Sequence, residues 1–257
     1  MSEGNQSETT GTSDCKHELS NEYGDDWEFS FKNPNVLPWE VRGPHPLLVK
    51  HKDDITQGRS GLKVLVPLCG RSDDMPWFVD EGHSVVGVEY DAEGCEGFFQ
   101  VQGLEFTCSE LGEGGNKVYK AKGKDITLYQ CNFFHLLDLA PELKSSFDVI
   151  WDRAAIRTTV AVEDPKEGIQ AYVNYMLELL ARGGVFAVEN TRFDTKRYTE
   201  MAALAGLVSD QMIAKICGDK WDIKKLAQVE LKVGEAFEPV YKEMEHDVVL
   251  HILTPRQ

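Results

Sequence analysis

The sequence predicts an α/β sandwich of three layers, built on a mostly parallel sheet with an antiparallel edge. Three observations carry that expectation. Continuous apolar runs such as "LKVLVPLC", "SVVGVEY" and "FDVIWDRA" read as strands buried on both faces. Stretches with helix-start and helix-stop residues alternate with them, as a sheet with crossover helices requires. A single such unit also suits the chain's 257 residues and 42% hydrophobic content, enough for one sizeable core.

The elements follow in order. Residues 1–24, rich in Ser, Glu, Asn, Thr and Gly, bury too little to offset the entropy of ordering and read as a disordered acidic tail. Residues 25–257 then form one domain, opening with an aromatic arm or lid over 25–50, where Trp27, Phe29, Phe31 and Trp39 are interleaved with prolines that forbid a long helix until about Leu47. "LKVLVPLC" is the first central strand. "SDDMPWFVDEG" follows as a short helix, with Ser72 as its cap and Gly82 as its stop. "SVVGVEY" is the next strand, "AEGCEGFFQVQG" the next helix and "LEFTCSEL" a further strand. "KVYKAKGKDITLYQCNFF" reads as a hairpin turning at Gly123. "FDVIWDRA" precedes a helix over about 165–182, the pair Gly183-Gly184 and the strand "VFAVENTRF". At the end of the chain "QMIAKICG", "VELKVG" and "DVVLHIL" read as strands pairing antiparallel at one edge.

Composition excludes several functions. A net charge of −16 repels a phosphate backbone, so nucleic acid is not an expected partner. No stretch approaches the roughly 20 apolar residues of a membrane span, and the N-terminus lacks the basic and apolar regions of a secretion signal. The chain reads as cytoplasmic, with no membrane association, and as a monomer because it has no heptad pattern or long apolar stripe. Its six cysteines are scattered without a CxxC pair, which indicates neither a disulfide framework nor a metal site.

In an open α/β sheet the ligand sits beyond the carboxyl ends of the strands. That places "PLCGRS" at the site, and Gly70 is the single glycine of a turn where a dinucleotide cradle needs several. Glu89 ends the second strand about 20 residues on, the spacing of a carboxylate that accepts ribose hydroxyls. A nucleoside without a pyrophosphate fits both facts, and S-adenosyl-L-methionine is the cofactor of that description. Asn132 and Phe133 follow a strand where they can meet the adenine by hydrogen bond and by packing, and Asp152 and Arg153 end the strand beneath the same crevice. Alone, Glu89 reads equally as a solvated strand-end carboxylate and Arg153 as half of an ion pair.

Together, "VLVPLCGRSDDMPWFVDEGHSVVGVEYDAEGCEGFF", "LYQCNFF" and "FDVIWDRAAI" closely resemble the thiopurine S-methyltransferase family. The resemblance implies a class I methyltransferase (Rossmann-like) fold. It implies transfer of a methyl group from S-adenosyl-L-methionine to the sulfur of a small aromatic or heterocyclic thiol, leaving S-adenosyl-L-homocysteine. It puts Leu68, Gly70 and Glu89 along the methionine and ribose of the cofactor and Asn132 and Phe133 at the adenine. Trp27 and Trp39 become the aromatic pair of the arm, with Trp39 and His45 also toward the acceptor. Arg153 faces the acceptor, where it can hold a thiolate, and Asp152 is its orienting partner or a proton acceptor. No metal is implied. After Asp194 the sequence departs from the family, "TKRYTEMAALAGLVSDQM" showing a largely helical pattern in place of a proline-rich loop. The natural acceptor therefore stays open between aromatic thiols and aliphatic thiols, selenium compounds or halide-like anions, as does a non-catalytic cofactor-binding role. A nucleotide-sugar or NAD module remains the rival from another class.

Overall fold

The computed structural model describes residues 9–10, 40–160, 162, 164, 166–198 and 208–256. These form one ten-stranded sheet in the order β1-β4-β5-β6-β3-β2-β7-β8-β10-β9. Its strands are β1 (Thr9–Thr10), β2 (Lys63–Pro67), β3 (Ser84–Glu89), β4 (Phe106–Glu110), β5 (Lys117–Ala121), β6 (Ile126–Gln130), β7 (Phe147–Arg153), β8 (Leu180–Phe193), β9 (Trp221–Leu231) and β10 (His246–Pro255). The helices are α1 (Pro46–Lys50), α2 (Lys52–Thr56), α3 (Asp74–Asp80), α4 (Ala92–Gln102), α5 (Leu136–Leu139), α6 (Ala155–Thr158), α7 (Ile169–Leu179) and α8 (Asp210–Cys217).

Strands β6, β3, β2, β7 and β8 are mutually parallel and form the centre of the sheet. Their apolar runs are long because helices cover both faces. Leu65, Val86, Ile150, Phe186 and Val188 point to the face covered by α5, α7 and α8. Val64, Val66, Trp151, Val185 and Ala187 point to the face covered by α1 to α4. Gly87 of β3 has no room for a side chain, since a Cβ there would run into Leu128, Cys69 Sγ and Met75 Sδ. That close approach seats α3 and the turn after β2 against the sheet.

Local signals explain most boundaries. Asp91 caps α4 by accepting from Glu93 N (2.7 Å) and Gly94 N (3.3 Å), and Gly103 ends it at φ +63°. Asp73 occupies the cap position of α3, while Ser72 Oγ accepts from Asp74 N (3.2 Å). The predicted hairpin is β5 and β6, paired antiparallel.

Three expectations need correction. "QMIAKICG" forms helix α8 instead of a strand: Ser209 Oγ accepts from Met212 N, and Ile213 and Cys217 face the core at a helical spacing of four. Helix α7 stops at Leu179, and Gly183-Gly184 is not its cap but a bulge within β8, where the register against β7 shifts. Gly183 lies at φ +77°, and a Cβ on Gly184 would sit 2.9 Å from Phe147 O. Antiparallel pairing also flanks the parallel centre on both sides, through β1, β4 and β5 as well as β9 and β10. The tail over 1–24 lies outside the described residues except for Thr9–Thr10, and residues 199–207 of the segment after Asp194 lie outside them as well.

Candidate active site

The chain leaves β2 for β3 on one side, and β7 lies on the other, so the sheet reverses direction at β2 and a crevice opens beyond its carboxyl end. Leu68 holds φ +47° there and Gly70 φ +49°. For a leucine that conformation costs roughly 1–2 kcal/mol. It leaves a large apolar side chain 39% exposed in the crevice. Ala154, at the end of β7, is likewise left-handed at φ +69°. Such outliers persist where the surroundings over-determine them, commonly at ligand sites.

Glu89 ends β3 facing the Leu68–Gly70 turn. Its Oε2 accepts from Gly70 N (2.9 Å) and its Oε1 from Asp91 N (3.0 Å). Burial raises its pKa to about 7, against the lowering effect of those two amides and of the Tyr90 amide. A carboxylate offers about four acceptor positions and backbone amides take up to three, so at least one hydroxyl can still be received. The residues present therefore fit a nucleoside cofactor, and the glycine-poor turn does not fit a pyrophosphate. Asn132 caps the turn after β6 by accepting from Phe134 N (2.9 Å) and donates to Glu167 Oε1 (3.1 Å). Phe133 is buried against Tyr172 and Tyr175. Trp27 and Trp39 lie outside the described residues.

On the other side of β2 the predicted acceptor residues are drawn together. Asp152 is fully buried: both oxygens accept from Ile156 N (3.1 Å each), and Oδ2 also accepts from Tyr172 OH (2.8 Å). Burial lifts its pKa to about 6. With its oxygens engaged in this way, Asp152 serves as the anchor of α6 and of the strand end that carries Arg153. Arg153 keeps 11% of its side chain exposed, with Nε 3.7 Å from Glu238 Oε1. His45 is buried, its Nδ1 accepting from Leu47 N (3.3 Å) at the start of α1 and its backbone N donating to Asp74 Oδ1 (2.7 Å). Its ring meets Phe237 edge-on at 5.1 Å, and burial together with the Arg153 charge lowers its pKa to about 3. His45 is thus a neutral wall residue.

Four residues of this cluster escape sequence reasoning: Arg157, Glu189, Glu238 and Tyr241. Arg157 NH1 donates to Tyr241 OH (2.5 Å), and its NH2 lies 3.6 Å from Glu238 Oε2. Glu189 sits opposite Arg153 in the register of β7 and β8, and burial, with Glu238 nearby, pushes its carboxyl well above the usual range. A signal existed for two of them. Arg157 stands four residues after Arg153, and Glu189 ends the buried run "VFAVE" much as Glu89 ends "VVGVE". Glu238 and Tyr241 come from a loop far along the chain and have no local signature.

This crevice, on this strand order, is that of a class I S-adenosylmethionine-dependent methyltransferase. Bradyrhizobium japonicum N-methyltransferase NodS, solved with S-adenosyl-L-homocysteine, superposes with a TM-score of 0.57 over 90% of this chain and 97% of that one, at 12% identity. Burkholderia thailandensis 1,6-didemethyltoxoflavin-N1-methyltransferase, also solved with S-adenosylhomocysteine, gives 0.56 over 89% and 86%, at 14% identity. The chain belongs to the thiopurine S-methyltransferase (TPMT) family, whose profile matches residues 23–249. The thiopurine S-methyltransferase of Oryctolagus cuniculus is 36% identical over 236 residues, 90% of this chain and 89% of its own. That of Rattus norvegicus is 35% identical over 207 residues, 80% and 81% of the two chains. The chain is an S-adenosylmethionine-dependent enzyme acting on a small molecule. No helix among the described residues is long and apolar enough to cross a membrane.

Proposed function

We propose that the methyl acceptor is the sulfur of a small aromatic or heterocyclic thiol of the thiopurine type, and that Arg153 holds it as the thiolate. The observation that carries this reading is the position of Arg153. It is a cation at the carboxyl end of β7, next to the cofactor strand, held by a buried carboxylate and beside the neutral ring of His45 and Phe237. When bound, S-adenosylmethionine supplies a methyl group on a sulfonium that is already a good leaving group. The chain then has to position the acceptor, exclude water and favour the anionic sulfur. A guanidinium stays charged at any working pH and lowers the pKa of a thiol beside it, so no strong general base is required.

Glu89 holds the cofactor ribose in this reading, and Leu68 packs along its methionine part. Asn132 and Phe133 border the adenine. The protein acts as a cytoplasmic monomer and not on nucleic acid, a reading supported by its net charge of −16.

Arg153→Ala tests the assignment. Turnover of 6-mercaptopurine should fall about 100-fold or more, while the affinity for S-adenosylhomocysteine, measured by calorimetry, should change by less than about threefold. Equal loss of cofactor affinity would remove Arg153 from the acceptor side.

A further inference from the structure

Arg153 ends β7 and Arg157 stands four residues on in α6, and the Glu238 carboxylate lies between them. Its Oε1 is 3.7 Å from Arg153 Nε and its Oε2 is 3.6 Å from Arg157 NH2. Both are ion-pair distances beyond hydrogen-bond length. Among the described residues, the Oε2 atom of Glu238 is buried without a hydrogen-bond partner, and so is Oε2 of Glu189, on the strand that pairs with Arg153. Two guanidiniums side by side ordinarily make a receptor for a carboxylate or phosphate. Here the protein has placed its own carboxylate in that receptor and a second one next to it. Tyr241 OH, meeting Arg157 NH1, closes the far side. Arg153 keeps 11% of its side chain exposed and Arg157 9%, so an incoming acceptor meets cations with a fixed anion already between them.

We infer that Glu238 is a specificity-determining residue. It fills the anion site between Arg153 and Arg157, so that the acceptor site takes a thiol without another anionic group and rejects aryl thiols that carry a carboxylate. A second carboxylate would have to sit against Glu238, where the two like charges oppose each other. This inference rests on the thiol-acceptor reading above, but it concerns the charge the site admits and can be measured without turnover.

The test compares 2-mercaptobenzoate with its methyl ester, in binding to the protein loaded with S-adenosylhomocysteine and in methyl transfer. Wild type should favour the ester by about tenfold or more, and Glu238→Gln should shift that ratio toward the carboxylate by about 10- to 100-fold. Glu238→Asp, which keeps the charge, should hold the ratio near wild type. A folding defect would weaken both ligands alike and leave their ratio unchanged. The same ratio in wild type and E238Q, or a wild type that already prefers the carboxylate, would overturn the inference. If neither compound is methylated while the binding ratio shifts, the thiol reading fails and the role of Glu238 stands. If both are methylated with an unshifted ratio, the reverse holds.

Discussion

Titrating the wild-type protein against Glu89→Gln measures how the cofactor is held. Burial raises the Glu89 pKa from 4.5 to about 7 in the ligand-free protein. Ribose hydroxyls donate to a carboxylate, so cofactor binding favours the ionised form, and below pH 7 a proton must leave first. With a pKa of about 7, the ionised fraction falls from about nine-tenths at pH 8 to about one-tenth at pH 6, so the Kd for S-adenosylhomocysteine should rise about tenfold across that interval. Binding at pH 6 should release close to one proton, and binding at pH 8 almost none. Calorimetry in buffers of different ionisation enthalpy reads both quantities. The linkage has a sign in stability too. The folded state holds this proton more tightly than the unfolded chain, so the stabilisation is full below about pH 4.5 and is lost as pH rises toward 7, by about 3 kcal/mol. Glu89→Gln should flatten the pH dependence of Kd and bind about 10- to 100-fold more weakly at pH 8, because one of the two accepting oxygens becomes an NH2 that can accept from neither a backbone N–H nor a hydroxyl. A wild-type Kd equal at pH 6 and pH 8, with no proton released, would refute the assignment of Glu89 to the ribose.

Asp152→Ala should lower stability by about 2–4 kcal/mol in urea unfolding, since it strands Ile156 N and Tyr172 OH in the core. Leu68→Gly should raise the Tm of the ligand-free protein, by relieving a left-handed leucine, yet weaken cofactor affinity several-fold in calorimetry by removing an exposed apolar contact. Gly87→Ala should destabilise by about 1–3 kcal/mol, because its methyl group meets Leu128, Cys69 and Met75; an unchanged midpoint would show that α3 moves freely against the sheet. Asp91→Ala should cost about 1 kcal/mol in the same assay, through the loss of the α4 cap.

The parts of the fold legible in the sequence are those governed by local chemistry. Strands β2, β3 and β7 announce themselves because burial on both faces demands unbroken apolar runs, and α4 because its start and stop residues act within a few positions. Gly183-Gly184 misleads for a physical reason: a glycine pair ends a helix or makes a bulge with equal ease, and the choice depends on Phe147 O, on a strand more than 30 residues earlier. "QMIAKICG" misleads because a short apolar stretch fits either period until Ser209 is recognised as a cap. In the site, Glu89, Asp152 and Arg153 are readable because each ends a strand. The environment of Arg153 is not readable, because Glu238 and Tyr241 reach it from a loop more than 80 residues later, and only the folded sheet brings them there.

Local rules are broken repeatedly at one end of this sheet. The left-handed Leu68 and Ala154 follow β2 and β7 directly, and the carboxylates that burial keeps partly protonated, Glu89, Asp152 and Glu189, all lie at or near the carboxyl ends of parallel strands. Each departure is unfavourable in the ligand-free protein, and the packed centre of the sheet supplies the stability that offsets it. At the crevice Glu89 keeps acceptor capacity to spare and Leu68 keeps exposed apolar surface. A nucleoside brings hydroxyl donors to Glu89 and apolar surface to Leu68. The thiol site differs, because there the protein has already supplied counter-ions for both arginines. The two halves of the crevice are therefore prepared in opposite ways: the cofactor half waits for its ligand to complete its hydrogen bonds, while the acceptor half is closed in charge and admits a ligand by shape and by the single charge on its sulfur.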